Sequence, residues 1–156
     1  MHIELTEMLR CPEPHQQTLL VLATGEMSGR MVRRGVVGCP VCQREYEIVE
    51  GVVYFTGAGS GEEGVAAPGE VPAAGSPLPA SDVLQALLDL SSPGGYLVVL
   101  GAAAPVGPEL AALVGGAHAI GVNAPQNLTE QPALSLLRCE QVLPLRDAIA
   151  RGVVVG

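Results

Sequence analysis

The chain has 156 residues, 48% of them apolar, with 16 acids against 8 bases and a formal charge of −8. That balance excludes a free-standing nucleic-acid binder, which needs a basic surface to displace phosphate counterions. Three Tyr, one Phe and no Trp leave no base-stacking platform. No apolar run approaches the ~20 residues that span a bilayer, and Met1–Arg10 contains no signal-peptide core, so a cytoplasmic protein is expected.

Composition divides the chain into a β unit over residues 1–56, a Gly/Ala/Pro-rich linker over 57–80, and an apolar segment over 81–156. In the first part, Leu5–Leu9 predicts a short helix that stops at Cys11-Pro12. Thr18–Ala23 and Met31–Gly38 read as strands, with a turn at Thr24-Gly25-Glu26 and near Gly29. Tyr46–Val49 and Val52–Phe55 are β-rich segments separated by Glu50-Gly51. A unit this small has too little apolar bulk to be stable by size alone and calls for a metal or a partner.

In the last part, Ser81 is the expected N-cap of a helix that carries Val83, Leu84, Leu87, Leu88 and Leu90. Tyr96–Leu100 is a continuous apolar run, as in a buried parallel strand. Pro108–Val114 predicts a short helix opened by proline. Ala117–Val122 predicts a strand, Thr129–Leu137 a helix, and Glu140–Leu143 and Gly152–Val155 two more strands. The expectation is therefore α+β overall, a small zinc-ribbon-like β unit followed by a truncated Rossmann-like α/β unit with a mainly parallel sheet. Gly152–Val155 would lie at an open apolar edge. Such an edge invites pairing with a second copy or another protein's sheet, so a homodimer or a protein partner is expected there.

The chemistry-bearing residues concentrate near the start. Cys11-Pro12-Glu13-Pro14-His15 and Cys39-Pro40-Val41-Cys42 are two short turns, each able to chelate, whose three thiolates and one imidazole make a four-ligand set suited to tetrahedral zinc. His2 is the reserve fourth ligand. A site without metal and a redox-active Cys-x-x-Cys are the alternatives, although no βαβ context surrounds the pair. His118, on an expected buried strand, reads as a hydrogen-bonded core histidine, and Cys139 has no base placed beside it.

Leu9-Arg10-Cys11-Pro12, Cys39-Pro40-Val41-Cys42 and Glu45–Val52 resemble the small zinc-binding methyltransferase-activator family over residues 3–56. Pro14 stands where that family has its second cysteine. The resemblance implies a metal-stabilised module that docks against a methyltransferase partner. Residues 81–156 resemble the first half of a class I S-adenosylmethionine-dependent methyltransferase. The carrying residues are Leu87–Gly101 at its entry and Leu143-Pro144-Leu145-Arg146-Asp147 near its end. In that resemblance Gly101, Asn123 and Glu140 stand at cofactor-contact positions. Val99 occupies the family's acid position, Cys139 aligns with the adenine-side acid, and Ala102-Ala103-Ala104-Pro105 replaces a glycine-rich loop. Side chains there would crowd a cofactor and Pro105 removes an N–H. The expected function is a non-catalytic zinc-binding assembly or activator protein without S-adenosylmethionine; the alternative is a methyltransferase with an atypical cofactor loop.

Overall fold

Among the described residues eight strands join one sheet. The computed structural model describes residues 1–56 and 78–156; the stretch 57–77, most of the expected linker, lies outside the described residues. A 3-10 turn, Ile3–Met8, precedes β1 (Val21–Ser28), β2 (Met31–Gly38), β3 (Glu45–Val49) and β4 (Val52–Phe55). After α1 (Ser81–Leu87) come β5 (Tyr96–Leu100), a 3-10 turn at Gly101–Val106, α2 (Gly107–Val114), β6 (His118–Val122), β7 (Leu134–Cys139) and β8 (Ala150–Val155). The spatial order is β1-β2-β3-β4-β7-β6-β5-β8. The first four strands pair antiparallel. From β4 onward every pairing is parallel, and Val52–Phe55 runs alongside Leu136–Cys139. The architecture is thus mixed α+β, with the N-terminal strands and the α/β segment hydrogen-bonded into one layer.

The parallel strands alternate their side chains between two apolar layers, as the period of two requires. Val53, Val98, Ile120, Val122 and Leu137 point to one face, where they pack with Met1, Leu5 and Leu9 of the N-terminal segment. Leu97, Val99, Ala119, Leu134 and Leu136 point to the other, against Leu84 of α1 and Leu110, Ala111 and Val114 of α2. Leu5, Leu9, Ile120 and Leu137 are all but fully buried, each worth about 2 kcal/mol of apolar burial at most. Gly107 lets α2 close on the sheet, since a Cβ there would stand 3.0 Å from the Ala119 Cβ and 3.1 Å from a Val99 methyl. At the far side of the N-terminal segment, Glu130 is nearly buried and takes Arg33 at 2.6 Å together with the Met1 amine. That amine also donates to the Val32 and Gly51 carbonyls at 3.0 and 2.6 Å.

Several sequence expectations are corrected. The expected Thr129–Leu137 helix does not form. Pro132 precedes the apolar run, and Leu134–Leu137 is buried on both faces between β4 and β6, which makes it a central parallel strand. The strand expected at Glu140–Leu143 is a loop, exposed at Val142 and Leu143. Thr24-Gly25-Glu26 does not turn the chain; β1 runs through it as a bulge, and the reversal comes at Gly29-Arg30. Ser81 lies inside α1, its buried hydroxyl without a partner among the described residues, behind an Ala80 cap, and α1 stops at Leu87 rather than reaching Leu90.

Candidate metal centre

Two turns on different elements bring the expected ligand set together. Cys11 follows the first 3-10 turn and is pinned by its N–H to the Thr18 carbonyl at 3.1 Å. Pro12 behind it holds Cys11 extended. Cys39 and Cys42 lie in the tight β2–β3 connection. There the Cys39 N–H donates to the Arg44 carbonyl at 2.8 Å, and the Gln43 N–H donates to the Cys39 carbonyl at 2.9 Å. Gln43 takes φ +59° to close that turn, a left-handed conformation that a non-glycine residue adopts only at some cost. Arg44 and Glu13, 3.0 Å apart, bridge the two turns.

The ligand atoms of Cys11, His15, Cys39 and Cys42 all lie within 4.8 Å of one another. The Cys11 and Cys42 sulfurs are 3.6 Å apart, and the Cys39 sulfur is 3.5 Å from His15 Nε2. Sulfur and nitrogen ligands at zinc bond lengths in a tetrahedron stand about 3.5–3.8 Å from each other. The closest contacts therefore match that geometry. His15 Nδ1 is 2.7 Å from the Gln16 carbonyl. A carbonyl only accepts, so Nδ1 carries the proton and Nε2 keeps its lone pair for the cluster, the usual outer-shell arrangement of a metal-bound histidine.

Burial and backbone hydrogen bonding move two of the thiols in opposite directions. Burial pushes the Cys11 thiol up to about 11, against the pull of the Glu13 N–H and the Tyr46 hydroxyl. Cys42, half-buried, is drawn down chiefly by the Arg44 backbone N–H. A cation at the centre of the four groups would reverse the burial penalty on Cys11 and hold the thiolates ionised. Tyr46, 3.7 Å from the Cys11 sulfur and with its ring tilted against that of Phe55, closes the inner wall. Tyr46 belongs to the Glu45–Val52 stretch that carries the family resemblance, but its place beside the cysteines comes from the pairing opposite Val37 of β2, one residue inside the turn. His2, the reserve ligand, lies elsewhere, with its ring 5.3 Å from that of His118.

The residues expected near a nucleotide-like cofactor are occupied otherwise. Gly101, the first residue after β5, has φ +60°, and a Cβ there would lie 2.6 Å from the Gly156 carbonyl oxygen. That oxygen accepts the Ala102 N–H at 3.1 Å. Ala103 and Ala104 are fully buried in the 3-10 turn that continues into α2. Val99 is buried on the helix side of the sheet. Asn123, at φ +51°, uses both amide atoms on Cys139: Nδ2 donates to its carbonyl at 2.8 Å, and Oδ1 accepts its N–H at 3.0 Å. Glu140 is exposed beyond the end of β7. Burial raises the Cys139 thiol, the opposite of what a nucleophile needs.

Comparison with protein-family models, with curated proteins and with solved structures gives no match. Four close Cys and His residues that could hold a metal ion are present in a mixed α+β architecture in which no helix among the described residues is long and apolar enough to cross a membrane.

Proposed function

We propose that this chain is a non-catalytic, zinc-stabilised assembly protein that presents its sheet to a partner, in the manner of the methyltransferase activators that residues 3–56 resemble. The observation that carries the reading is the convergence of Cys11, His15, Cys39 and Cys42 from two separate turns. Zinc held there would tie the first turn to the β2–β3 connection and supply folding energy without chemistry of its own. His15 takes the place of the ligand that Pro14 cannot supply.

The C-terminal half supports a scaffold role. Its strand order β7-β6-β5-β8 is that of positions 3-2-1-4 in a doubly wound, Rossmann-like sheet. In that sheet a cofactor would sit over the carboxyl ends of β5 and β6. Here the Ala102 N–H already bonds Gly156, and the Asn123 amide is spent on Cys139. Among the described residues β8 has one neighbour, β5, and it exposes Val153 and Val155. The other edge strand, β1, is bulged and carries Glu26, which discourages pairing. The β8 edge is the proposed docking strand, for a second copy or for a partner's sheet.

The strand order also favours the rival reading, a methyltransferase with an atypical loop. Native mass spectrometry with and without S-adenosylmethionine separates the two. One zinc per chain and no cofactor adduct supports the scaffold; a specific adduct returns the chain to the enzymes, and absence of zinc removes the metal-stabilised reading.

A further inference from the structure

A second cluster of titratable groups lies away from the cysteines, at the amino ends of β5 and β6. His2, Glu4 and Leu5 of the N-terminal segment meet Tyr96 and His118 there, around an open cavity of about 330 Å³ also lined by the Gly116–Ala117 turn. The His2 and His118 rings are 5.3 Å apart, and Tyr96 meets His118 edge-on at 6.1 Å. Ser135, fully buried on β7, joins the two sides: its Oγ accepts the His2 backbone N–H at 2.9 Å and lies 2.9 Å from His118 Nε2. The serine proton needs an acceptor, and His118 Nε2 supplies it only while the imidazole is neutral. Protonation would turn Nε2 into a donor facing a hydroxyl that has then lost its acceptor. It would also place a cation beside His2.

We propose that the adjoining His2–His118 pair, its rings tilted at 53° and sharing the Ser135 hydroxyl, is an acid-sensitive latch that fastens residues 1–8 to the sheet and loosens as pH falls below neutral. The segment it holds covers the apolar face formed by Val98, Ile120 and Leu137. This proposal is independent of the metal centre.

The groups facing His118 set the direction. Burial holds its pKa down to about 4, from an ordinary 6.5, and His2 and the Met1 amine push the same way, while Glu4 opposes them. Glu4 is itself 3.8 Å from His2 Nδ1 and paired with Arg30. Tyr96 stays neutral, its phenol raised by burial and by Glu4 and Glu7. From β7 the facing group is the uncharged Ser135. A histidine whose folded pKa is depressed contributes nothing adverse above 6.5 and costs stability progressively as pH falls from 6.5 to about 4. Between pH 7 and pH 5 the equilibrium for opening the segment rises about twentyfold by this linkage.

Amide hydrogen exchange, corrected for intrinsic rates, tests it in the full chain. The amides of residues 3–9 are expected to lose about twentyfold of protection from pH 7 to pH 5, while those of β3 and β4 hold. His118→Gln still accepts the serine proton but cannot ionise, and should flatten the dependence. An undiminished dependence in His118→Gln, no loss in the wild type, or an equal loss at every amide would each overturn the latch. Titration of the imidazole protons in the unmodified chain gives a second reading that needs no variant. A His118 that stays neutral to about pH 4 supports the proposal, and one that titrates at its ordinary value overturns it.

Discussion

Replacing Cys39 by Ser is the sharpest test of the metal centre. Cys39 is 3% exposed, its sulfur lies 3.5 Å from His15 Nε2, and the hydroxyl that replaces it is smaller and a poor zinc ligand. If zinc binds the folded chain and not the unfolded one, zinc at a thousand times its Kd adds about 4.1 kcal/mol of stability. For a chain of this size each kcal/mol moves Tm by about 2–4 °C, so the wild type should gain about 8–16 °C on loading with zinc. Cys39→Ser should lose most of that gain and its bound metal, while its chelated form should melt close to the chelated wild type. The last comparison separates loss of the ion from damage to the core. Cys139→Ser, outside the cluster, should keep both metal and shift. The assay is thermal unfolding by circular dichroism with zinc and with chelator, paired with metal content by mass spectrometry. An equal zinc-induced shift in Cys39→Ser and wild type would refute the four-ligand assignment.

Three further substitutions probe the rest of the chain. Asn123→Ala removes both hydrogen bonds to the Cys139 backbone and should cost about 1–3 kcal/mol in urea unfolding; a change within error would show that the clamp contributes nothing. Leu137→Ala, in the fully buried centre of β7, should cost about 2–5 kcal/mol by the same assay, and a smaller loss would contradict the central placement of that strand. Val153→Lys puts a charge on the exposed face of the β8 edge. If β8 is the docking strand, the variant should be monomeric by light scattering at concentrations where the wild type associates, with an unchanged circular-dichroism spectrum; association that survives it would move the interface elsewhere.

Local signals located the strands whose boundaries are set locally. Met31–Gly38, Val52–Phe55 and Tyr96–Leu100 are bounded by glycine, proline or charged turns, and each forms as its own sequence predicts. Leu134–Cys139 is different. Leu134, Leu136 and Leu137 fit a helix spacing as well as a buried strand, and only the arrival of β4 on one side and β6 on the other decides between them. Nor could spacing show that Asn123 would turn back onto Cys139, because that contact exists only once β6 and β7 are neighbours. The four residues that could hold a metal ion were legible for the opposite reason: their chemistry is carried by residue type, and the fold had only to bring two turns together. Even the irregular half has a physical account. His15 sits one position beyond the usual second ligand, but an imidazole Nε2 stands farther from its Cα than a thiol sulfur does. The longer side chain can absorb the extra residue of backbone, and the Gln16 carbonyl on Nδ1 aims it. Pro14 therefore changes which residue reaches the cluster and still leaves four groups that could hold a metal ion.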